Sequence, residues 1–213
     1  YKYKRNGSKN LKIYLAGLPK FDKYYNKINQ NNKVENVGIC VNGVDSVSDF
    51  EKLITHVAQI GNLKNIYLRP HPTDRRFDNW KKIASKNGVK FSNVRKVSSF
   101  DFLRNVDLII AGNSNIHLEA ISLNVLSIFF DSLNNKYDHY GFIKNGLVDY
   151  FSDIDSTIIQ IKEYTIEKKN NRNLAKEYID TIDSTFDGRS TELFAKIIND
   201  TNVKEYFTES IDE

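Results

Sequence analysis

Two short segments of this chain, Asp107-Leu-Ile-Ile-Ala111 and Val125-Leu-Ser-Ile-Phe-Phe130, are apolar at nearly every position. A strand with one wet face alternates apolar and polar side chains. One that stays apolar throughout must be covered on both faces, as the strands of parallel α/β sheets are. Parallel neighbours also need a crossover between them, usually a helix, and that crossover is right-handed. These two segments therefore predict an open, doubly wound parallel sheet with helices on both sides.

The rest of the chain supplies the alternation this requires. Leu11–Ala16, Asn36–Val41, Asn65–Leu68, Val89–Phe91 and Leu147–Phe151 read as further strands. Between Ser48 and Ile60 the apolar residues Phe50, Leu53, Ile54, Val57 and Ile60 recur with helical period, and Ser48 with Glu51 forms a capping box. Helices are also predicted over 76–87, stopped by Gly88, over 100–105 and over 115–123. Residues 131–146 read as a long loop, and 153–168, 172–184 and 190–199 as C-terminal helices. The sum is a Rossmann-like sheet of about six strands within residues 1–200, followed by a tail or short helix over 201–213.

Open parallel sheets bind ligands beyond the carboxyl ends of their strands. Four polar turns fall there: Asn42–Ser46, Arg69–Pro72, Gly112–Asn115 and Asp131-Ser132. In the second, Pro70 and Pro72 stiffen the chain on either side of His71, whose imidazole can donate to a phosphate or a leaving oxygen, and Arg69 can add a fork of charged donors. In the third, Gly112 is expected to let the chain turn sharply after its strand. Asn113 or Ser114 then caps a helix whose first turn, with Asn115, offers amides to an anion. Glu119 lies one turn further on, within reach of ribose hydroxyls or of solvent. His117 is expected to pack or to face solvent. Gly43 permits close approach of a phosphate or sugar, although its loop is neither a dinucleotide fingerprint nor a phosphate-binding P-loop.

The remaining features exclude more than they assign. The single cysteine, Cys40, rules out a disulfide framework and a paired-cysteine metal site, and reads as a small core residue. Net charge is +4 with basic and acidic residues interspersed, which fits a solvated surface or weak attraction to phosphates or an anionic membrane face. No nucleic-acid-binding motif is present. No apolar run approaches the length that spans a bilayer, and no secretory signal is visible. No residue presents itself as a general base. The chain starts at Tyr1 and contains no methionine, so it is expected to be part of a longer protein.

Three segments carry a family resemblance. Arg69-Pro-His-Pro72 resembles the His-Pro motif of bacterial sialyltransferases and related Kdo transferases. Residues Asp107–Ala120 resemble the strand–Ser–helix unit of capsule and teichoic-acid transferases, and Phe186-Asp-Gly-Arg-Ser-Thr191 is similar to theirs. Over residues 36–200 the chain thus resembles the C-terminal, donor-nucleotide half of a GT-B glycosyltransferase. The resemblance implies transfer of a sugar from a nucleotide-sugar, CMP-sialic acid or CMP-Kdo first, to a bacterial surface glycan or lipid-linked glycan. CDP-polyol and UDP-sugar polymerases, a UDP-sugar epimerase and a non-catalytic binding module are the alternatives. It further implies that His71 assists the leaving group, that Ser114 and its helix hold the donor phosphate and that Glu119 faces the ribose. No cofactor and no bound metal are expected. The N-terminal acceptor domain and the general base are expected outside this chain, and the location is expected to be cytoplasmic or peripheral at the inner membrane. Asn-Ser-Asn stands where sialyltransferases commonly carry paired serines.

Overall fold

The computed structural model describes residues 14–199. Among them six strands, β1 (Asn36–Val41), β2 (Asn65–Pro70), β3 (Lys90–Phe91), β4 (Leu108–Ala111), β5 (Leu126–Phe130) and β6 (Asp149–Phe151), form one sheet in the order β3-β2-β1-β4-β5-β6. Every adjacent pair is parallel. The chain runs outward from β1 to β3, returns to place β4 against β1, and then runs outward the other way. The order therefore reverses at the β1–β4 seam, and a crevice opens beyond the carboxyl ends of those strands. The architecture is the α/β Rossmann-like fold expected from the apolar segments.

The two-sided burial that the apolar strands demanded is present residue by residue. Ile109 and Ala111 of β4 join one core cluster, with Phe100, Leu103, Ile121, Phe129 and Phe142. Leu108 and Ile110 point the other way, into a second cluster with Phe50, Leu53, Trp80 and Ile161. Helices α3 (Ser99–Leu103) and α4 (Ile116–Ser122) pack on the first face, and α1 (Val47–Ala58), α2 (Phe77–Lys86) and α5 (Ile154–Ile166) on the second. Helix α6 (Ser190–Asn199) closes the described chain.

Local chemistry sets the helix ends. Helix α2 stops at Asn87, and Gly88 follows with φ +67°. The Gly88 and Val89 amides then return to the carbonyls of Ser85 and Ala84, a Schellman closure. Helix α4 ends the same way, but Asn124 takes the left-handed position at φ 58°. Asn124 fits because its buried amide bridges two segments, donating to the Asn29 carbonyl and accepting from the Asn171 amide.

Several expectations are corrected. The strand predicted over Leu11–Ala16 falls partly outside the described residues, and Tyr14–Ala16 form no strand. A 3-10 segment, Pro19–Lys27, follows instead. The cap of α1 is Ser46, whose Oγ accepts from the Asp49 amide at 3.4 Å and donates to the Asp49 carboxylate at 2.7 Å, so the Ser48–Glu51 box sits two residues too late. The helix predicted over 172–184 is a 3-10 turn, Arg172–Glu177, followed by further turns. Arg172 pairs in bidentate fashion with Asp187 at 2.7 and 2.6 Å, which folds the segment back on itself where a helix would carry it away. The tail from 201 lies outside the described residues.

Asp107, immediately before β4, organises the opposite end of the sheet. Its Oδ1 accepts from the Asn29 and Asn31 side chains at 2.9 and 2.7 Å. Its Oδ2 accepts from the Glu35 and Asn36 amides and the Asn36 side chain at 3.0, 2.9 and 3.0 Å. Burial alone would raise this carboxyl, but the donors outweigh it and hold its pKa below the ordinary aspartate value.

Candidate functional site

The loops that follow β1, β2 and β4 converge on one cavity of about 680 Å³ at the β1–β4 seam. Its lining includes Gly43, Arg69, His71, Pro72, Asn113, Ser114, Asn115 and Glu119, all eight residues singled out in the sequence. The fourth turn, Asp131-Ser132, lies apart and lines a separate, acid-rich depression with Asp49, Asp153 and Asp155.

His71 is exposed, and its backbone is fixed by a hydrogen bond from its amide N–H to the Val41 carbonyl at 2.7 Å. Its Nδ1 receives the Thr73 amide at 3.3 Å and lies 2.8 Å from the Thr73 hydroxyl. An amide can only donate, so Nδ1 is the acceptor and the neutral ring carries its proton on Nε2. The ring is therefore held as an Nε2–H donor by its own turn.

Arg69 is buried with its terminal nitrogens turned to the next loop, Nη1 to Ser92 Oγ at 3.0 Å and Nη2 to the Val97 carbonyl at 2.8 Å. Its guanidinium also covers the Phe102 ring. The fork read from the sequence is thus committed to bracing residues 92–97, which bring Val94, and beyond them Ser98 and Ser99, to the cavity.

At the third turn the reason for glycine differs from the one expected. The backbone of Gly112 is not in the left-handed region. A Cβ there would instead lie 2.2 Å from Asp45 Oδ1. Asp45 is 5% exposed, and its Oδ2 takes the Asn42 amide at 2.7 Å, closing the turn that forms the cavity wall. Burial pushes its carboxyl up to about 7, against the lowering by the Asn42 amide and nearby Arg76. Arg76 secures the same turn from outside, donating to the Asp45 carbonyl at 2.9 Å, to the Asn42 carbonyl and to the Asp74 carboxylate. At Gly43 a Cβ would meet nothing within 4 Å among the described residues.

Neither Asn113 nor Ser114 is the cap residue of α4. That position is Asn115, which makes no side-chain cap bond, while Ser114 Oγ accepts from the Ile116 amide at 3.4 Å. Asn113 Oδ1 is buried and has no hydrogen-bond partner among the described residues. His117 is fully buried, as packing required. Its Nε2 donates to the Gly112 carbonyl at 2.8 Å, and its Nδ1 accepts from the Ser127 hydroxyl at 2.6 Å. Burial holds it neutral, with its pKa lowered to about 4 against the opposing pull of the Gly112 carbonyl. It tethers the Gly112–Asn115 turn to β5. Glu119 reaches the cavity wall with its side chain 15% exposed and paired to Lys20 at 3.0 Å.

Sequence reasoning missed Tyr140 in the cavity lining, and missed the bracing of the Asn42–Asp45 turn by the Asp45 carboxylate and Arg76. Asn42-Gly-Val-Asp45 does carry an Asx-turn signal, and the Val44 amide donates to Asn42 Oδ1 at 2.9 Å. Nothing local announces either Arg76, which reaches the Asn42–Asp45 turn from the N-cap of α2, or Tyr140, which joins the cavity lining from the loop after β5.

No family model matches this chain, and no curated protein matches it. Solved structures do. A histidine variant of the wall teichoic acid polymerase TagF soaked with CDPG aligns over 91% of this chain and 52% of its own, at 14% identity and a TM-score of 0.57. A putative UDP-N-acetylglucosamine 2-epimerase from Listeria monocytogenes aligns over 91% of this chain and 56% of its own, at 12% identity and a TM-score of 0.56. A TarM variant from S. aureus, in complex with fondaparinux, alpha-GlcNAc-glycerol and UDP, aligns over 81% and 37%, at 14% identity and 0.51. The fold is that of a GT-B half-domain. At these identities the likeness concerns fold. The chain spans about half the length of the first two structures and less of the third.

Among the described residues no helix is long and apolar enough to cross a membrane. Among them, too, no group of three or more His, Cys, Asp or Glu side chains is placed to hold a metal ion.

Proposed function

We propose that the cavity at the β1–β4 seam binds the nucleotide of a nucleotide-sugar, and that the chain is the donor-binding half of a glycosyltransferase. The observation that carries this reading is the convergence of all eight sequence-selected residues on one cavity at the switch point of the sheet. Its volume suits a small organic ligand, and its lining combines a rigid imidazole donor, small polar side chains and an open glycine.

The chemistry follows from charge. Cleaving a sugar–phosphate bond leaves negative charge on the departing phosphate, and preorganised donors stabilise it. His71 Nε2–H is the catalytic donor, Ser114 with the Asn113 and Asn115 side chains and backbone binds the phosphate, Gly43 gives it room and Glu119 accepts a ribose hydroxyl. Pro72 shapes the wall, and Arg69 acts through the 92–97 loop it braces. No step in this scheme requires a metal ion. The general base and the glycan or lipid-linked glycan acceptor belong to a second α/β unit, a reading supported by neighbours of which this chain covers only 52% and 56%.

For the donor base, the sequence motif points to CMP-activated sialic acid or Kdo. TagF soaked with CDPG and TarM holding UDP support a cytidine or uridine diphosphate instead. Calorimetric titration with CMP, CDP and UDP separates these. Binding of one of them, weakened at least about tenfold in His71→Ala, is the expected result. Absence of binding by all three at millimolar concentration removes the proposal. A second reading, a UDP-sugar epimerase, draws on the Listeria neighbour, whose TM-score matches that of TagF. Incubation of the full-length protein with UDP-GlcNAc distinguishes it, since only an epimerase yields the epimer without an acceptor.

A further inference from the structure

The Lys20–Glu119 pair joins the cavity to a segment that no sequence motif singled out. Lys20 lies on the 3-10 segment Pro19–Lys27, which is tied down on three sides. The Asp22 carboxylate accepts from the Ser190 and Thr191 amides at 2.9 and 2.6 Å, fixing the segment to the start of α6. Tyr24 stacks on Phe100 of α3 at 4.1 Å and 11°, and Phe21 meets the same ring edge-on at 5.2 Å. Just ahead, Gly17 has φ +67°, donates its amide to Asp180 Oδ1 at 2.9 Å, and leaves no room for a Cβ against Thr181 and Ser190. The backbone that carries Lys20 is thus set by contacts unrelated to the cavity.

From that fixed base the ammonium reaches across to Glu119 Oε1 at 3.0 Å. The other carboxylate oxygen, Oε2, takes no hydrogen bond among the described residues, and the side chain lines the cavity. A carboxylate held by a cation on one oxygen is restrained in rotamer, and it offers its other oxygen as an acceptor at a defined place. Such an acceptor reads a hydroxyl donor and discriminates against an analogue that lacks it.

Resting on the nucleotide reading above, we propose that Lys20 is a positioning residue. It orients Glu119 so that Oε2 accepts a ribose hydroxyl, and it thereby sets the preference of the site for ribonucleotides over deoxyribonucleotides. Lys20 itself touches no part of the nucleotide in this scheme. The pair is partly exposed, so its contribution to folding is small, and its effect lies in selectivity.

The test uses the full chain and titrates UDP and CDP beside their 2′-deoxy and 3′-deoxy analogues. The wild-type protein is expected to prefer the ribonucleotide over one deoxy analogue by at least about tenfold. Lys20→Met should shrink that preference to about twofold or less, with deoxynucleotide affinity and melting temperature unchanged, and Lys20→Arg should restore it. Glu119→Leu, which removes the acceptor, should abolish it whatever stands at 20. Equal weakening of ribo- and deoxynucleotide in Lys20→Met would overturn the proposal, because a general charge effect would then explain the lysine. Tighter binding of both would overturn it as well, by making Lys20 a competitor for Glu119. Nucleotide binding with no ribose preference in the wild type sinks this inference alone, whereas no binding at all sinks the nucleotide reading with it.

Discussion

Gly112→Ala tests whether the cavity wall is built as described. The added Cβ would lie 2.2 Å from Asp45 Oδ1 and 3.1 Å from its Cγ. A close carbon–oxygen contact is about 3.3 Å, so the overlap is about 1 Å. Asp45 has nowhere to retreat, being 5% exposed with Oδ2 on the Asn42 amide at 2.7 Å. Turning the carboxylate away orphans that amide, at about 1–3 kcal/mol, and moving the backbone costs a similar amount. A loss of about 2–3 kcal/mol follows, which for a domain of this size is a fall of roughly 5–10 °C in melting temperature. Thermal melts followed by circular dichroism would measure it, in a cycle with Asp45→Ala. Removing the carboxylate removes the obstacle, so Gly112→Ala should cost less than about 0.5 kcal/mol in that background, a coupling of at least about 1.5 kcal/mol. Equal cost in both backgrounds would refute the reasoning and place the need for glycine in the backbone itself.

Two further outcomes concern titration and the far end of the sheet. Asp45 has its pKa raised by burial to about 7, so its contribution to stability is full below the unfolded value near 4 and is lost as pH rises through about 7. The melting temperature should fall between about pH 4 and pH 7, with about 4 kcal/mol as the ceiling, and Asp45→Asn should flatten that limb; an unchanged slope in the variant would assign it to another group. At Asp107 the sign is opposite, since its lowered pKa gives stability that is present above the unfolded value and lost as pH falls through the folded one. Asp107→Asn must turn an amide NH₂ toward either two or three donors and should cost about 2–4 kcal/mol in denaturant melts, whereas a cost under about 0.5 kcal/mol would show that the hub contributes little.

The elements that could be read from the sequence were those whose signal is local. Leu108–Ala111 and Leu126–Phe130 announce double-sided burial through composition alone, and Gly88 announces a helix end through its φ. The convergence of His71, Ser114 and Gly43 followed from a topological rule, which needs only the strands to be correctly placed. What escaped depends on partners distant in sequence. Gly112 is glycine because of a carboxylate 67 positions earlier, and nothing in its own neighbourhood says so. Arg69 looks like a phosphate fork until the 92–97 loop claims its nitrogens. The Arg172–Asp187 pair turns an apparent helix into a closed loop. Lys20 belongs to a segment whose course is fixed by Asp180, Ser190 and Thr191, near the other end of the chain.

The central claim is that three strand-end loops form one nucleotide pocket, and amide chemical shifts report on it most directly. Titration of the isotopically labelled chain with UDP, CDP and CMP should move the resonances of Gly43, His71 and Asn113–Asn115 together, along one saturating curve. Gly43→Val, whose new side chain enters open space, should leave the melting temperature within about 2 °C and abolish those shifts. Shifts confined to one loop, or saturable shifts that persist in Gly43→Val, would contradict the account.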